Sequence, residues 1–160
     1  MFTTNVMRIH AGLDHVFRLA ADVLRWPHIL PHYRWVRVRR DEQQRVIVEM
    51  SARRDFIPVR WLSIQEVDPE RRVIRYKHIG GATRGMDVEW SFVEDGGEVT
   101  ATILHRWDPP WPVPWIIRRS LAYLAGELFV RVIADRTLLH IKRQAELARI
   151  GQSEASVEGH

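Results

Sequence analysis

Residues 108–115 read DPPWPVPW, and residues 116–150 read IIRRSLAYLAGELFVRVIADRTLLHIKRQAELARI. The contrast between these neighbours decides the fold. Pro109, Pro110, Pro112 and Pro114 remove amide donors and fix φ, so neither a helix nor a central strand survives in the first stretch. The second stretch has no proline and one glycine, Gly126. Ile117, Leu121, Leu124, Leu128, Val132, Leu138, Ile141 and Ala145 recur through it at helical spacing. The pattern predicts one long helix from about Trp115 to Ile150, with an apolar stripe that needs a partner surface. Residues 151–160 are polar, and a disordered tail is expected there.

The partner surface lies upstream. From Tyr33 to Trp107 the chain reads as strands at about 33–40, 44–53, 57–67, 72–79, 84–94 and 98–107. Turn chemistry separates them at Asp41-Glu42-Gln43, Asp68-Pro69-Glu70, Gly80-Gly81 and Asp95-Gly96-Gly97. A further strand is expected at about Phe2 to Ile9. After it, Leu13, Val16, Phe17, Ala20 and Val23 mark a short amphipathic helix, with Asp14 placed to favour its dipole. Trp26-Pro27 interrupts that helix, and Ile29, Leu30 and Pro31 suggest a second helical turn. The order predicts an α+β fold: a seven-stranded curved antiparallel sheet wrapped round one long C-terminal helix, with two short helices between strands 1 and 2. Residues 1–150 are expected to form a single domain.

Alternation assigns the inner face of the sheet. Val59, Trp61, Ser63, Gln65 and Val67 share one face of their strand; Ile74, Tyr76 and His78 share one of theirs. Met86, Val88, Trp90 and Phe92 do so in the next strand, and Val99, Ala101, Ile103, His105 and Trp107 in the last. Apolar walls with isolated polar groups at Ser63, Gln65, Tyr76, His78 and His105 are the composition of a small-molecule pocket. They are equally the composition of a filled core whose polar groups satisfy one another.

Composition narrows the function classes. At 160 residues the chain can bury a core around a small cavity. There is no cysteine, so no disulfide or thiolate metal site, and no apolar run long enough to span a bilayer. The first ten residues lack a signal-peptide layout, and a cytoplasmic address is expected. The net charge of +4 comes almost entirely from arginine, with Lys77 and Lys142 the two lysines. These arginines are scattered in pairs among twenty acidic residues, which reads as a solvated surface; no nucleic-acid partner is expected. His28 and His32 have the spacing of a helical metal pair, but Pro31 separates them and no third ligand is evident, so no metal site is expected. No other cofactor is expected either.

Three short segments carry a family resemblance. Trp26-Pro27-His28-Ile29-Leu30-Pro31 resembles the tryptophan-proline motif after the first helix of START-like (SRPBCC) helix-grip proteins. Met86-Asp87-Val88-Glu89-Trp90-Ser91-Phe92 resembles their penultimate strand, and His140-Ile141-Lys142-Arg143-Gln144-Ala145-Glu146 the end of their last helix. The superfamily includes polyketide aromatase/cyclases (polyketide cyclase/dehydrases) and coenzyme Q-binding proteins. The resemblance implies pocket roles for Trp26, Tyr33, Trp61 and Ser63. Gln65 stands where those cyclases carry an arginine that polarises or protonates the polyketide, and Thr137 where they carry an asparagine. Gln65 brings no positive charge to an enolate.

The expected function is binding or transport of a hydrophobic small molecule such as a lipid, quinone or polyketide. Its expected site is Trp26, Tyr33, Trp61, Ser63, Gln65, Tyr76, His78, Met86, Val88, Trp90, Ile103, His105 and Thr137, lining a cavity of several hundred cubic ångströms on the usual scale. The alternative is a cyclase-type enzyme, with His78 or His105 as acid or base and Tyr33 and Ser63 positioning oxygens. A further alternative is an accessory protein whose tryptophan loop docks on a partner. Trp111 and Trp115 beside Arg118-Arg119 also suit peripheral contact with a membrane.

Overall fold

The computed structural model describes residues 1–42, 45–108, 114–117, 120 and 130–157. The chain runs β1 (Phe2–Ile9), α1 (Leu13–Ala21), a 3₁₀ turn (Val23–Arg25), α2 (Trp26–Ile29), then β2 (Tyr33–Glu42) and β3 (Arg45–Arg54). It continues through β4 (Ile57–Asp68), β5 (Val73–Gly81), β6 (Met86–Asp95) and β7 (Glu98–Trp107) to a long helix, here α3 (Arg131–Val157). The seven strands form one antiparallel sheet in the order β1-β7-β6-β5-β4-β3-β2. Six consecutive strands therefore make a meander, and β1 closes one edge by pairing with β7 from Phe2↔Arg106 to Ile9↔Val99.

The period-two pattern places one face of this sheet inward. Ile74, Tyr76 and His78 are buried on β5, Met86, Val88, Trp90 and Phe92 on β6, and Val99, Ala101, Ile103, His105 and Trp107 on β7. Helix α3 covers that face with Ala134, Thr137, Leu138, Ile141 and Ala145, all buried and spaced by three, one or four residues. It also lies along the edge strand. Asn5 Nδ2 donates to Asp135 Oδ1 (2.7 Å), Lys142 Nζ to the Arg8 carbonyl (2.7 Å), and the His10 amide to Glu146 Oε1 (2.9 Å). A covered edge has fewer free backbone groups to recruit a foreign strand.

The structure corrects the sequence reading in three places. Helix α3 continues to Val157, so residues 151–157 are helical rather than a disordered tail. Gly151 alone costs only about 1 kcal/mol in a helix, and no proline follows it. Trp115–Ile117 are helical as expected, yet Ile117 is half exposed instead of lying on a buried stripe. Leu121, Leu124, Leu128 and Trp111 lie outside the described residues. Finally, Pro27 is not what interrupts the first helix, since α1 already ends at Ala21. It sits in the first turn of α2, where its missing N–H has no intrahelical role, and α2 ends at Ile29.

One glycine is fixed by a close backbone approach. On β5 the register slips between Leu62↔Gly80 and Ser63↔His78, leaving Ile79 as an extra residue that bends the strand. Gly81 then has φ +81°, and a Cβ there would lie 2.3 Å from the Arg60 carbonyl oxygen and 2.7 Å from Trp61 Cα. Gly97 has the same φ but open space around it. Gly81→Ala is therefore expected to lower unfolding stability by about 2–4 kcal/mol, through strain plus clash, against about 1 kcal/mol for Gly97→Ala. Urea denaturation of the two variants checks this; equal losses would mean that the Arg60 approach does not constrain the chain.

Candidate functional site

Between the inner face and α3 lies a cavity of about 80 Å³. Its floor is Trp61 from β4, Tyr76 and His78 from β5, Met86, Val88 and Trp90 from β6, and Ile103 and His105 from β7. Trp26 and Tyr33 close one side, and Thr137, Ala134, Ile133 and Val130 form the roof. Met50, Val59 and Thr83 complete the wall. The chain places these groups together because four adjacent strands each turn alternate side chains inward, and one helical stripe covers them.

The aromatic side is organised around Trp26. Its ring lies 4.9 Å from Tyr33, 5.8 Å from Trp90 and 6.3 Å from Tyr76, centroid to centroid. Such tilted and edge-on pairs contribute about 0.5–1.5 kcal/mol each beyond their buried area. Its Nε1–H donates to the Leu19 carbonyl (3.2 Å), one of the carbonyls that the end of α1 leaves without a helical partner. Across the cavity, Trp61 stacks on His78 at 5.9 Å with 13° between the rings.

Two residues expected in the wall do not reach it. Gln65 is buried, but its Nε2 donates to the Ala21 carbonyl (2.9 Å) and the Tyr76 hydroxyl (3.2 Å). Ala21 is the last residue of α1, so Gln65 caps that helix from the sheet. Ser63 is fully buried one step along β4, and its Oγ has no hydrogen-bond partner among the described residues. Neither lines the cavity, and Ser63 makes no hydrogen bond to His78, its cross-strand partner. The volume also falls short of the several hundred cubic ångströms expected, because large aromatic rings fill most of the space between sheet and helix.

Sequence reasoning placed Val59 on the inner face but not in the site, and missed Met50, Thr83, Val130, Ile133 and Ala134. Met50 alternates with Val48 and Ala52 on the buried face of β3, a signal that period-two reading could have used. Thr83 sits in a turn and is brought in by its bond to His78, for which no sequence signal exists.

The polar groups are neutral. His78 Nδ1 pairs with Thr83 Oγ1 (2.5 Å) and His105 Nδ1 with Thr3 Oγ1 (3.3 Å). Neither Nε2 has a partner among the described residues. Burial, and for His78 also the nearby His105, lowers His78 to about 3; burial lowers His105 to about 4. Burial pushes the Tyr33 and Tyr76 phenols well above their ordinary range.

A hydrogen-bond chain runs behind Tyr33. Thr137 Oγ1 donates to the Ile133 carbonyl (2.8 Å), so it accepts from His32 Nε2–H (2.8 Å). This fixes His32 as the Nε2–H tautomer and leaves its buried Nδ1 without a partner among the described residues. Burial, then His140 and Arg136, lowers His32 to about 4. His28 is exposed while His32 is buried in this chain, so the two do not share a ligand position.

Sheet, covering helix and aromatic cavity together define a START-like helix-grip protein. Residues 9–131 match the family described as polyketide cyclase/dehydrase and lipid transport, and the chain belongs to that family. Membership sets its function in hydrophobic-ligand binding or polyketide cyclase-like chemistry. Solved structures agree on the fold. A protein of Thermus thermophilus superposes with a TM-score of 0.77 at 20% identity, over 92% of this chain and 99% of that one. The Zhui aromatase/cyclase of Streptomyces sp. R1128 superposes at 0.75 and 20% identity, over 91% and 93%. A START superfamily protein of Mycobacterium smegmatis superposes at 0.70 and 12% identity, over 92% and 98%. No curated protein matches the chain. Among the described residues no helix is long and apolar enough to cross a membrane.

The buried histidines give the fold a pH dependence of definite sign. Their native values of about 3 to 4 lie below the ordinary 6.5, so between these limits the unfolded chain binds protons that the native state does not. Stability is full above about pH 6.5 and falls as the pH drops toward 4, by about 1.4 kcal/mol per pH unit for each such histidine. Urea midpoints measured at pH 7 and pH 5 check this, and His105→Gln should flatten the slope. A protein that gains stability on acidification would contradict the neutral, buried assignment.

Proposed function

We propose that the protein binds or carries a hydrophobic small molecule of the lipid, quinone or polyketide class, with one end held in the cavity. One observation supports this reading above the others: an apolar, aromatic wall whose titratable groups are all kept uncharged. His78 and His105 at about 3 to 4 are poor proton donors or acceptors at neutral pH, where general acid–base catalysis wants a pKa near the working pH. They suit hydrogen bonding to a carbonyl or hydroxyl. The volume of about 80 Å³ is below the roughly 300–1,000 Å³ of common ligand sites. A larger ligand therefore enters by displacing α3 from the β3–β4 hairpin. The ion pair joining them, Arg136 to Asp55 (2.9 Å), is exposed and costs little to open.

Cyclase-type chemistry is the second reading, and the unpartnered Nε2 atoms of His78 and His105 at the wall are what favour it. With Ser63 and Gln65 withdrawn from the cavity, those two imidazoles and Tyr33 would carry any proton transfer.

Two variants separate these readings. Trp90→Glu sets a charge in the apolar wall and is expected to abolish binding of an apolar fluorophore, read by emission intensity. The double variant His78→Gln/His105→Gln is expected to keep ligand affinity within about tenfold, because neutral hydrogen bonds contribute only about 0.5–1.5 kcal/mol each. If the protein turns over a polyketide and the double variant loses that turnover by about a hundredfold or more, the enzyme reading replaces the carrier. Unchanged fluorophore binding by a folded Trp90→Glu protein would overturn the cavity as the site.

A further inference from the structure

The two ends of the sheet differ. In an antiparallel meander the β3–β4 turn, the β5–β6 turn, the end of β7 and the start of β1 all fall at one end. The cavity reaches toward this end, where Val59, Thr83 and Val130 bound it. The tip of the β3–β4 turn is Phe56, 90% exposed, followed by Ile57 at 50%. Phe2, at the same end of β1, is 61% exposed. The connection that leaves this end of β7 contains Trp115, Ile116 and Ile117, each at least half exposed. The turns at the opposite end, residues 69–72 and 96–97, carry no aromatic or branched aliphatic residue.

Charge follows the same division. At the cavity end Arg53, Arg54, Arg84, Arg106, Arg131 and Arg136 stand against Asp55, Asp87, Asp108 and Asp135. Asp55 is engaged by Arg136, and Asp135 by Asn5. A groove beside Phe56 is lined by Arg53, Asp55, Arg136, His32 and His140. His140 Nδ1 donates to the Arg136 carbonyl, which directs its Nε2 away from the helix backbone. Arg53 and Arg136, the latter paired with Asp55, thus stand directly beside an exposed aromatic.

We infer that this end docks on an anionic phospholipid bilayer. Phe56 and Ile57 enter the interface, Trp115 sits at headgroup level, and Arg53 at the rim meets a lipid phosphate. Apolar tips beside a basic rim are the combination that holds a peripheral protein at such a surface, since burial and charge attraction add. Docking in this orientation turns the cavity end toward the lipid. The inference stands apart from the identity of the cavity's occupant, because vesicle binding is read with no ligand present.

Cosedimentation with vesicles tests it. The full chain is expected to bind phosphatidylcholine vesicles containing about one-third phosphatidylglycerol and to be released at about 0.5 M salt, where screening is nearly complete. Phe56→Ser/Ile57→Ser should weaken binding about tenfold or more. Arg53→Glu should weaken it about tenfold as well, since a cation is lost and an anion gained. Val93→Ser, at an exposed site toward the opposite end, should change nothing. All these positions are on the surface, and circular dichroism verifies folding. Equal binding to pure phosphatidylcholine, or unchanged binding by a folded Phe56 variant, overturns the inference. So does a dimer seen by light scattering that Phe56→Ser/Ile57→Ser dissociates, since the patch would then be covered by a second copy.

Discussion

The rest of the structure depends on how the α1–α2 corner is fastened to the sheet, and Trp26 is the fastening. Its indole N–H closes a carbonyl at the end of α1, and its ring packs on Tyr33, Tyr76 and Trp90. Gln65 closes a second carbonyl of the same helix from β4. Unpaired carbonyls at a buried helix end would each cost about 1–3 kcal/mol, so the two side chains settle where α1 can end. Because Trp26 is also a cavity wall, the shape of the cavity is set by the same contacts that fix the corner.

That arrangement has a chemical consequence. Gln65, a buried polar group on the inner face, is used here to finish a helix. The polar atoms that remain at the cavity, on His78, His105, Tyr33, Tyr76, Thr83 and Thr137, are uncharged. Desolvation is the leading cause in each titrating case, and it follows directly from packing three tryptophans and two tyrosines around the space. An apolar wall dense enough to exclude water thus also removes the charge that acid–base chemistry would use. Ligand binding and catalysis place opposite demands on the same dielectric environment.

Access is a separate matter from affinity. The cavity reaches toward the end of the sheet that carries the exposed aromatic turn and the basic rim, while the opposite end presents polar turns. An exposed ion pair links the β3–β4 hairpin to α3 at that end. Weak closure and apolar loop tips at one place are what the proposed docking on lipid would use.

Much of this was readable in the sequence. Period-two alternation from Val73 to Trp107 named the inner face, since strand geometry forces adjacent side chains to opposite sides. The proline-rich break at 108–114 and the proline-free stretch after it announced the last helix. Its end was not readable, because residues 151–157 carry no stop signal stronger than one glycine. Gln65 and Ser63 are where local periodicity stops deciding the site. Alternation shows which face a residue occupies, but what covers that face at each point depends on where α1 ends, a contact between residues 44 positions apart. Sequence by itself determined the strands, their inward face and the aromatic character of the site, because these follow from local backbone periods. Tertiary structure decided the cavity's volume, the neutrality of its histidines and the withdrawal of Gln65, because packing and desolvation arise only between distant parts of the chain.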